Sequence, residues 1–470
     1  MGARKSREAA RLRARPQRDE GIWAMMEEMV YTEPPIYGVN ESGVMTLAGH
    51  DVRDLLVRFG SPLVVLLEDV VRGNCRAYKQ QIEQYPRARV YYASKAFLTT
   101  GFCRLMEQEE MGLDVASWGE LETARAAGFP AERILMHGNA KTREDLRLAL
   151  EMGIGRIVID NLAEIERLGE MAEAMEKEAR VFIRVTPGVK PSTHQAIQTG
   201  QVDSKFGFNL ASGAAEQAVL KILQYRRLKL VGLHCHIGSQ IFDLKPFSVA
   251  AESMMRFYAY VQKELGAPLD ELNMGGGIGI RYTEDDVPPS VVEHLARMRR
   301  RVMELAEEYE VEPPLLCDEP GRSIVGRAGV TLYTVQSIKE IEGVRNYASV
   351  DGGMTDNPRF ALYNAKYQVA LANRMNEKPD TLWSISGRCC ESGDMLQKDV
   401  YLPHVRVDDL VAFLSTGAYT YSMASQYNRV ARPAVVMVSE GRAELLAVRE
   451  DAASMLRLDC IPASLKRQGE

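Results

Sequence analysis

The chain has 470 residues, long enough for two substantial cores, with 46% hydrophobic and 26% charged residues, the balance of a soluble globular protein. A formal net charge of -6 argues against a general nucleic-acid binder, and no apolar run reaches the length that crosses a bilayer. Seven cysteines, scattered without metal-ligand spacing and with Cys389 and Cys390 adjacent, form the pattern of a reduced, cytoplasmic protein.

In chain order, residues 1–20 are basic and lack the apolar centre of a signal peptide. They are expected to be a disordered or weakly helical tail, with a transit peptide as the alternative. Residues 37–47 alternate in hydropathy around the turn residues Asn40-Glu41-Ser42-Gly43, and are expected to add strands to a β domain. From residue 62, eight short apolar runs alternate with helical periods: 90–94, 113–116, 134–137, 157–160, 181–185, 230–235, 271–274 and 315–318. That alternation implies parallel pairing, and its length suits a (β/α)8 TIM-like barrel, with an open doubly wound sheet as the second choice. After residue 326 the runs 331–341, 347–350, 382–386, 410–414 and 434–438 read as strands. The turn Ser439-Glu440-Gly441-Arg442 leads into a partner strand at 443–448. The expected organisation is α/β: the tail, a barrel over 62–325, and an all-β barrel or sandwich domain from 21–61 and 326–470.

Polar residues end the apolar runs, as barrel active sites require: Lys95, Ser117, Asn139, Asp160, Arg184, His236, the glycines after Met274, and Glu319. Desolvation of Lys95 at the mouth of a buried strand would lower its pKa and leave an amine able to form a Schiff base with a carbonyl cofactor. An ordinary solvated lysine is the alternative. In His234-Cys235-His236-Ile237-Gly238-Ser239-Gln240 the two histidines point the same way, but no third ligand at a suitable spacing supports a metal, and none is expected. A histidine stacked on an aromatic cofactor, with Ser239 at a phosphate, explains the segment better; a structural role for His234 stays open. Gly275, Gly276 and Gly277 offer an anion cradle, or taken alone a tight turn. Glu319, aimed into the barrel mouth, could pair with a protonated ring nitrogen and keep pyridoxal 5'-phosphate (PLP) an effective electron sink; an ion pair with Arg322 is the alternative.

The segments Tyr92-Ala93-Ser94-Lys95-Ala96, 232–243, 275–279, 319–325, Cys390-Glu391-Ser392-Gly393-Asp394, and Gly417-Ala418-Tyr419 with Tyr427-Asn428 resemble the barrel-type PLP-dependent amino-acid decarboxylases. The resemblance covers nearly everything after the basic tail. It implies a (β/α)8 PLP-binding barrel with a β domain, in a homodimer with shared active sites. It implies Lys95 as the Schiff-base lysine, His236 as the ring-stacking residue, and Glu319 at the pyridine nitrogen. Ser239, Gly275, Gly276, Gly277 and Tyr419 would serve the phosphate. Arg322, Arg359, Tyr363 and Glu391 would grip the far end of the substrate, with Arg322 and Tyr419 touching both cofactor and substrate. Cys390 would be the proton donor, and in the family pattern Cys390 and Glu391 come from the partner subunit. The implied reaction is decarboxylation of meso-2,6-diaminopimelate to L-lysine and CO2, the last step of lysine biosynthesis.

The chemistry of the far end points the same way. Arginines suit a distal carboxylate through a bidentate fork, while Glu391 suits the ammonium. Arg359, in Asn357-Pro358-Arg359-Phe360, therefore discriminates this substrate from ornithine, arginine, lysine or carboxynorspermidine, the alternative substrates. A non-catalytic PLP-binding protein is the alternative from another class. One departure stands out: Arg388-Cys389 precedes Cys390 where the family usually has a proline and an aliphatic residue.

Overall fold

The computed structural model describes residues 35–85, 87–189 and 204–467, so the expected basic tail lies outside the described residues. The first strands, β1 (Gly38–Val39), β2 (Met45–Leu47) and β3 (His50–Asp51), form a small antiparallel sheet of their own. The expected turn is present, with the Gly43 N–H donating to the Asn40 carbonyl at 2.9 Å. These strands do not extend the larger β sheet. Met45 and Leu47 instead pack into its core beside Leu63, Val65, Val330 and Leu332.

The next strand, β4 (Leu63–Leu67), is apolar and buried at all five positions. It lies between two strands of the β domain, antiparallel to one and parallel to the other. The boundary expected at residue 62 would have placed this strand with the barrel. A run buried on both faces carries no periodicity that could assign it to one sheet or the other. The barrel side begins instead at the helix Glu68–Gln84, which packs against the helix Val291–Glu308.

The barrel strands are β5 (Ala88–Ala93), β6 (Gly112–Val115), β7 (Ile134–Met136), β8 (Arg156–Ile159), β9 (Ala179–Thr186), β11 (Leu228–His234), β12 (Glu271–Asn273) and β13 (Leu315–Asp318), with a two-residue β10 (Phe208–Asn209) paired beside β9. All pairings are parallel, and β13 pairs with β5, which closes the ring of eight. Capping side chains start several of the helices between the strands. Ser117, Asn161 and Ser290 each accept from a backbone N–H of the first turn, and Thr142 forms a capping box with Asp145. Ser117 is thus a helix cap, which explains its polarity at a strand end without a site.

Inside the barrel, Tyr91, Leu135, Val158, Phe182 and Cys317 form an apolar layer. Below it, at the strand N-termini, buried Arg156 and Glu271 make a bidentate ion pair, Nε to Oε2 2.9 Å. Side chains alternate along a strand, so the residues two positions beyond the apolar layer point into the upper mouth. From Tyr91, Leu135, Phe182 and Cys317 that rule gives Ala93, His137, Arg184 and Glu319, and all four line the cavity there.

The β domain contains β14 (Gly329–Ile341), β15 (Arg345–Val350), β16 (Val369–Leu371), β17 (Thr381–Ser386), β18 (Met395–Leu402), β19 (Leu410–Leu414), β20 (Ala434–Ser439) and β21 (Arg442–Ala447). Its main path runs β18-β17-β15-β14-β4-β20-β21, with β19 joining β14 to β16. The expected Ser439–Arg442 turn closes the β20–β21 hairpin.

Candidate active site

Lys95 follows β5 in a single 3-10 turn, Ser94–Ala96. The Tyr92 hydroxyl donates to the Phe97 carbonyl at 2.8 Å, and the Ala96 carbonyl accepts from the Tyr419 N–H at 2.9 Å and the Ser422 hydroxyl at 3.0 Å. The β domain therefore clamps the turn that carries the lysine. Tyr419 does this with a left-handed backbone, φ +60°, a conformation that persists where the surrounding structure enforces it. Lys95 is exposed, and its side chain opens into the cavity. Burial acts to lower its pKa, but Tyr419, Asp114 and Glu319 outweigh burial and Arg184, so the amine is held above its ordinary value. This reverses the expected shift: the lysine enters the cavity as an ammonium.

Glu319 sits on the cavity floor. Its Oε1 accepts from His137 Nε2 and Asn273 Nδ2, both at 2.7 Å, and its Oε2 accepts from His234 Nε2 at 3.2 Å. Burial pushes the carboxyl up, but the two imidazoles hold it well below the usual range, so it is ionised. Burial pushes His234 down to about 3, leaving it neutral. His137, His234 and Glu319 bring ligand atoms within 4.8 Å of one another, a convergence of three strands invisible in the spacing. An ionised carboxylate only accepts, so both Nε2 atoms carry protons toward it, and their lone pairs are not offered to a metal.

The glycine segment behaves differently from a row of bare donors. Gly275 N–H already donates to Asn273 Oδ1 at 2.9 Å, and Gly276 N–H to His236 Nδ1 at 3.3 Å. Gly277 lines the cavity. No side chain fits here: a Cβ on Gly276 would stand 2.1 Å from the Glu319 carbonyl oxygen, and one on Gly277 2.2 Å from that of Gly238.

Arg184, Arg322 and Arg359 also line the cavity. Arg322 donates to Ser239 Oγ from Nε at 3.3 Å and from Nη2 at 3.1 Å, donates from Nη1 to the Tyr282 hydroxyl, and lies 4.7 Å over the Tyr419 ring. The Glu319–Arg322 ion pair weighed from sequence is not formed. Arg359 donates to the Tyr367 hydroxyl at 2.8 Å and stacks 4.6 Å over Tyr282. Arg184 stacks 4.2 Å over Phe206, its Nη1 4.0 Å from Asp160.

One cavity of about 660 Å³ thus gathers Lys95, His236, Ser239, Gly277, Glu319, Arg322, Arg359, Tyr363 and Tyr419. Cys390 and Glu391 are exposed on the β domain and do not line it. Their loop is nonetheless fixed. Asp394 accepts from the N–H groups of Met354 and Cys389 at 2.6 and 2.7 Å, and Cys390 N–H donates to Asn428 Oδ1 at 2.8 Å. Sequence reading gave no role to Asp114, His137, Asn273 and Tyr282. For the first three, counting by twos along each predicted strand would have revealed them. The donor set fits PLP: a lysine reaching in, a side-chain-free cradle, and a buried ionised carboxylate on the floor.

The chain is similar to known proteins over most of its length. Residues 68–326 match the family described as "Pyridoxal-dependent decarboxylase, pyridoxal binding domain". The chain is 49% identical over 428 residues to the diaminopimelate decarboxylase of Bacillus subtilis, covering 89% of this chain and 96% of the relative. It is 46% identical over 422 residues to that of Halalkalibacterium halodurans, covering 90% and 96%. A crystal structure of diaminopimelate decarboxylase from M. jannaschii in complex with L-lysine superposes with a TM-score of 0.85 at 33% identity, covering 92% of this chain and 99% of the other.

Proposed function

The chain belongs to the diaminopimelate decarboxylases, within the pyridoxal-dependent decarboxylase family, and from that membership we propose how its own residues divide the work. It converts meso-2,6-diaminopimelate to L-lysine and CO2 with PLP, the last step of lysine biosynthesis. The observation that carries the assignment of roles is a single cavity that brings together Lys95, Glu319, Arg322 and Arg359.

When bound, PLP would supply an aldehyde for the substrate amine and a ring to take up the electron pair left on the substrate carbon as CO2 departs. Lys95 would anchor the cofactor through its amine, once that amine has given up its proton. Glu319, kept ionised by His137, His234 and Asn273, holds a proton at the pyridine nitrogen. His236 would cover the ring, and Ser239, Tyr419 and the Gly275–Gly277 backbone would hold the phosphate. Arg322 and Arg359 take the distal carboxylate, with Tyr363 beside them. We assign the return of a proton to the reacting carbon to Cys390, with Glu391 at the distal ammonium. Both lie outside their own chain's cavity, which supports a homodimer in which the partner subunit's Cys390 and the partner subunit's Glu391 complete the site. Seven free cysteines support a cytoplasmic setting. Among the described residues no helix is long and apolar enough to cross a membrane.

The test is product analysis with purified protein, PLP and separate incubations with meso-diaminopimelate, lysine, ornithine and arginine. CO2 and lysine are expected from diaminopimelate alone, and Arg359→Ala is expected to raise KM for it roughly 10²-fold through the lost carboxylate pairing. Faster turnover of a substrate without a distal carboxylate, or an unchanged KM in the variant, would overturn the assignment.

A further inference from the structure

Tyr282 lies between the two arginines and has no part in the roles assigned above. Its hydroxyl accepts from Arg322 Nη1, its ring carries the Arg359 guanidinium at 4.6 Å, and Arg322 lies 5.6 Å from the same ring. Two buried guanidiniums this close repel unless something between them offers negative potential. Tyr282 offers both an oxygen lone pair and a ring face. Burial pushes its phenol up, but the two guanidiniums more than reverse that, so it is held below its ordinary value.

The tyrosine is itself fixed from two sides. It leaves the barrel on the loop that begins with the glycine cradle. That loop is pinned by Gln240, whose side-chain amide brackets Ile280 with bonds of 2.7 and 3.2 Å, and by Asp286, which accepts from the Tyr282 N–H at 2.9 Å. Its side chain then enters the core of the β domain, edge-on to Tyr367 at 5.5 Å, and its carbonyl accepts from the Gln368 N–H at 2.9 Å. Arg322 comes from the barrel and Arg359 from the β domain, so Tyr282 is where the two halves of the carboxylate site meet.

We propose that Tyr282 is a positioning residue for substrate selection, holding Arg322 and Arg359 in the spacing that receives the distal carboxylate. The inference rests on the reading of this end as the carboxylate subsite. L-Lysine keeps that carboxylate, whereas 1,5-diaminopentane has the same chain and no carboxylate at all. Inhibition by the two compounds therefore isolates the carboxylate subsite.

The experiment uses holoenzyme, wild type and Tyr282→Phe, and measures kcat and KM for meso-diaminopimelate with inhibition constants for both compounds. Tyr282→Phe keeps the ring but leaves Arg322 Nη1 without its partner. KM and the inhibition constant of lysine are expected to rise together by about 10-fold to 100-fold, with kcat within about threefold and 1,5-diaminopentane inhibition unchanged. Equal weakening of both inhibitors, or no change in either, would overturn the proposal. If Tyr282→Phe does not fold, Tyr282→His, whose ring nitrogen can accept from Arg322, is to show the same split at a smaller fold-change; equal weakening there is again a refutation. Wild-type protein that binds the diamine as well as lysine would instead refute the carboxylate reading itself.

Discussion

At Lys95, burial and local charge pull in opposite directions, and charge prevails. The net shift is upward, so below its raised pKa the lysine is an ammonium, and only the small neutral fraction can attack an aldehyde. The rate of PLP attachment to cofactor-free protein should therefore rise about tenfold per pH unit between roughly pH 7 and 9. Stopped-flow absorbance would measure it, and a rate independent of pH would contradict the assignment. The position of Lys95 at a strand end was legible in sequence, but the sign of its shift was not. Desolvation can be read from one strand, whereas Asp114 and Glu319 reach the lysine from β6 and β13. The sequence predicts that Glu319 faces a ring nitrogen, but its support by His137, His234 and Asn273 likewise depends on strands far apart in sequence.

The turn from Gly352 to Asn357 presents Arg359, and Asp356 organises it by accepting from the Gly353 N–H at 2.8 Å and from the Tyr333 hydroxyl. Burial, Asp394 and Asp351 push the Asp356 carboxyl up to about 7, against the two hydrogen bonds. A folded pKa above the unfolded value of 3.8 means that the folded chain binds the extra proton between those values. The stability from this group is full below the unfolded pKa and is lost as pH rises through about 7. Asp356→Asn removes that slope. Its melting temperature, relative to wild type, should climb by roughly a few degrees between pH 5 and 8, and a constant difference would refute the linkage. Elements were legible in proportion to their periodicity. All eight barrel strands stood out because helices alternate with them. β16 has three residues, β18 mixes Gln397, Lys398 and Asp399 with apolar positions at a sheet edge, and β4 has no alternation, so none announced its place.

Across the whole molecule, the cavity of one chain holds the groups assigned to cofactor and distal carboxylate, while Cys390 and Glu391 stand exposed elsewhere on the β domain. The resemblance to the decarboxylases made this division legible; spacing alone could not, since nothing in a single chain shows which surface meets a second copy. In a shared site, Lys95 of one subunit acts with the partner subunit's Cys390 on meso-diaminopimelate. Lys95→Ala and Cys390→Ala chains carrying different tags can be co-expressed and the mixed dimer isolated through both tags. Each homodimeric variant should be almost inactive in lysine and CO2 release. The mixed dimer, with one site free of both changes, should recover about half the wild-type rate per dimer. A mixed dimer as inactive as its parents would contradict the shared site, and full activity in the Lys95→Ala homodimer would contradict the chemistry as well.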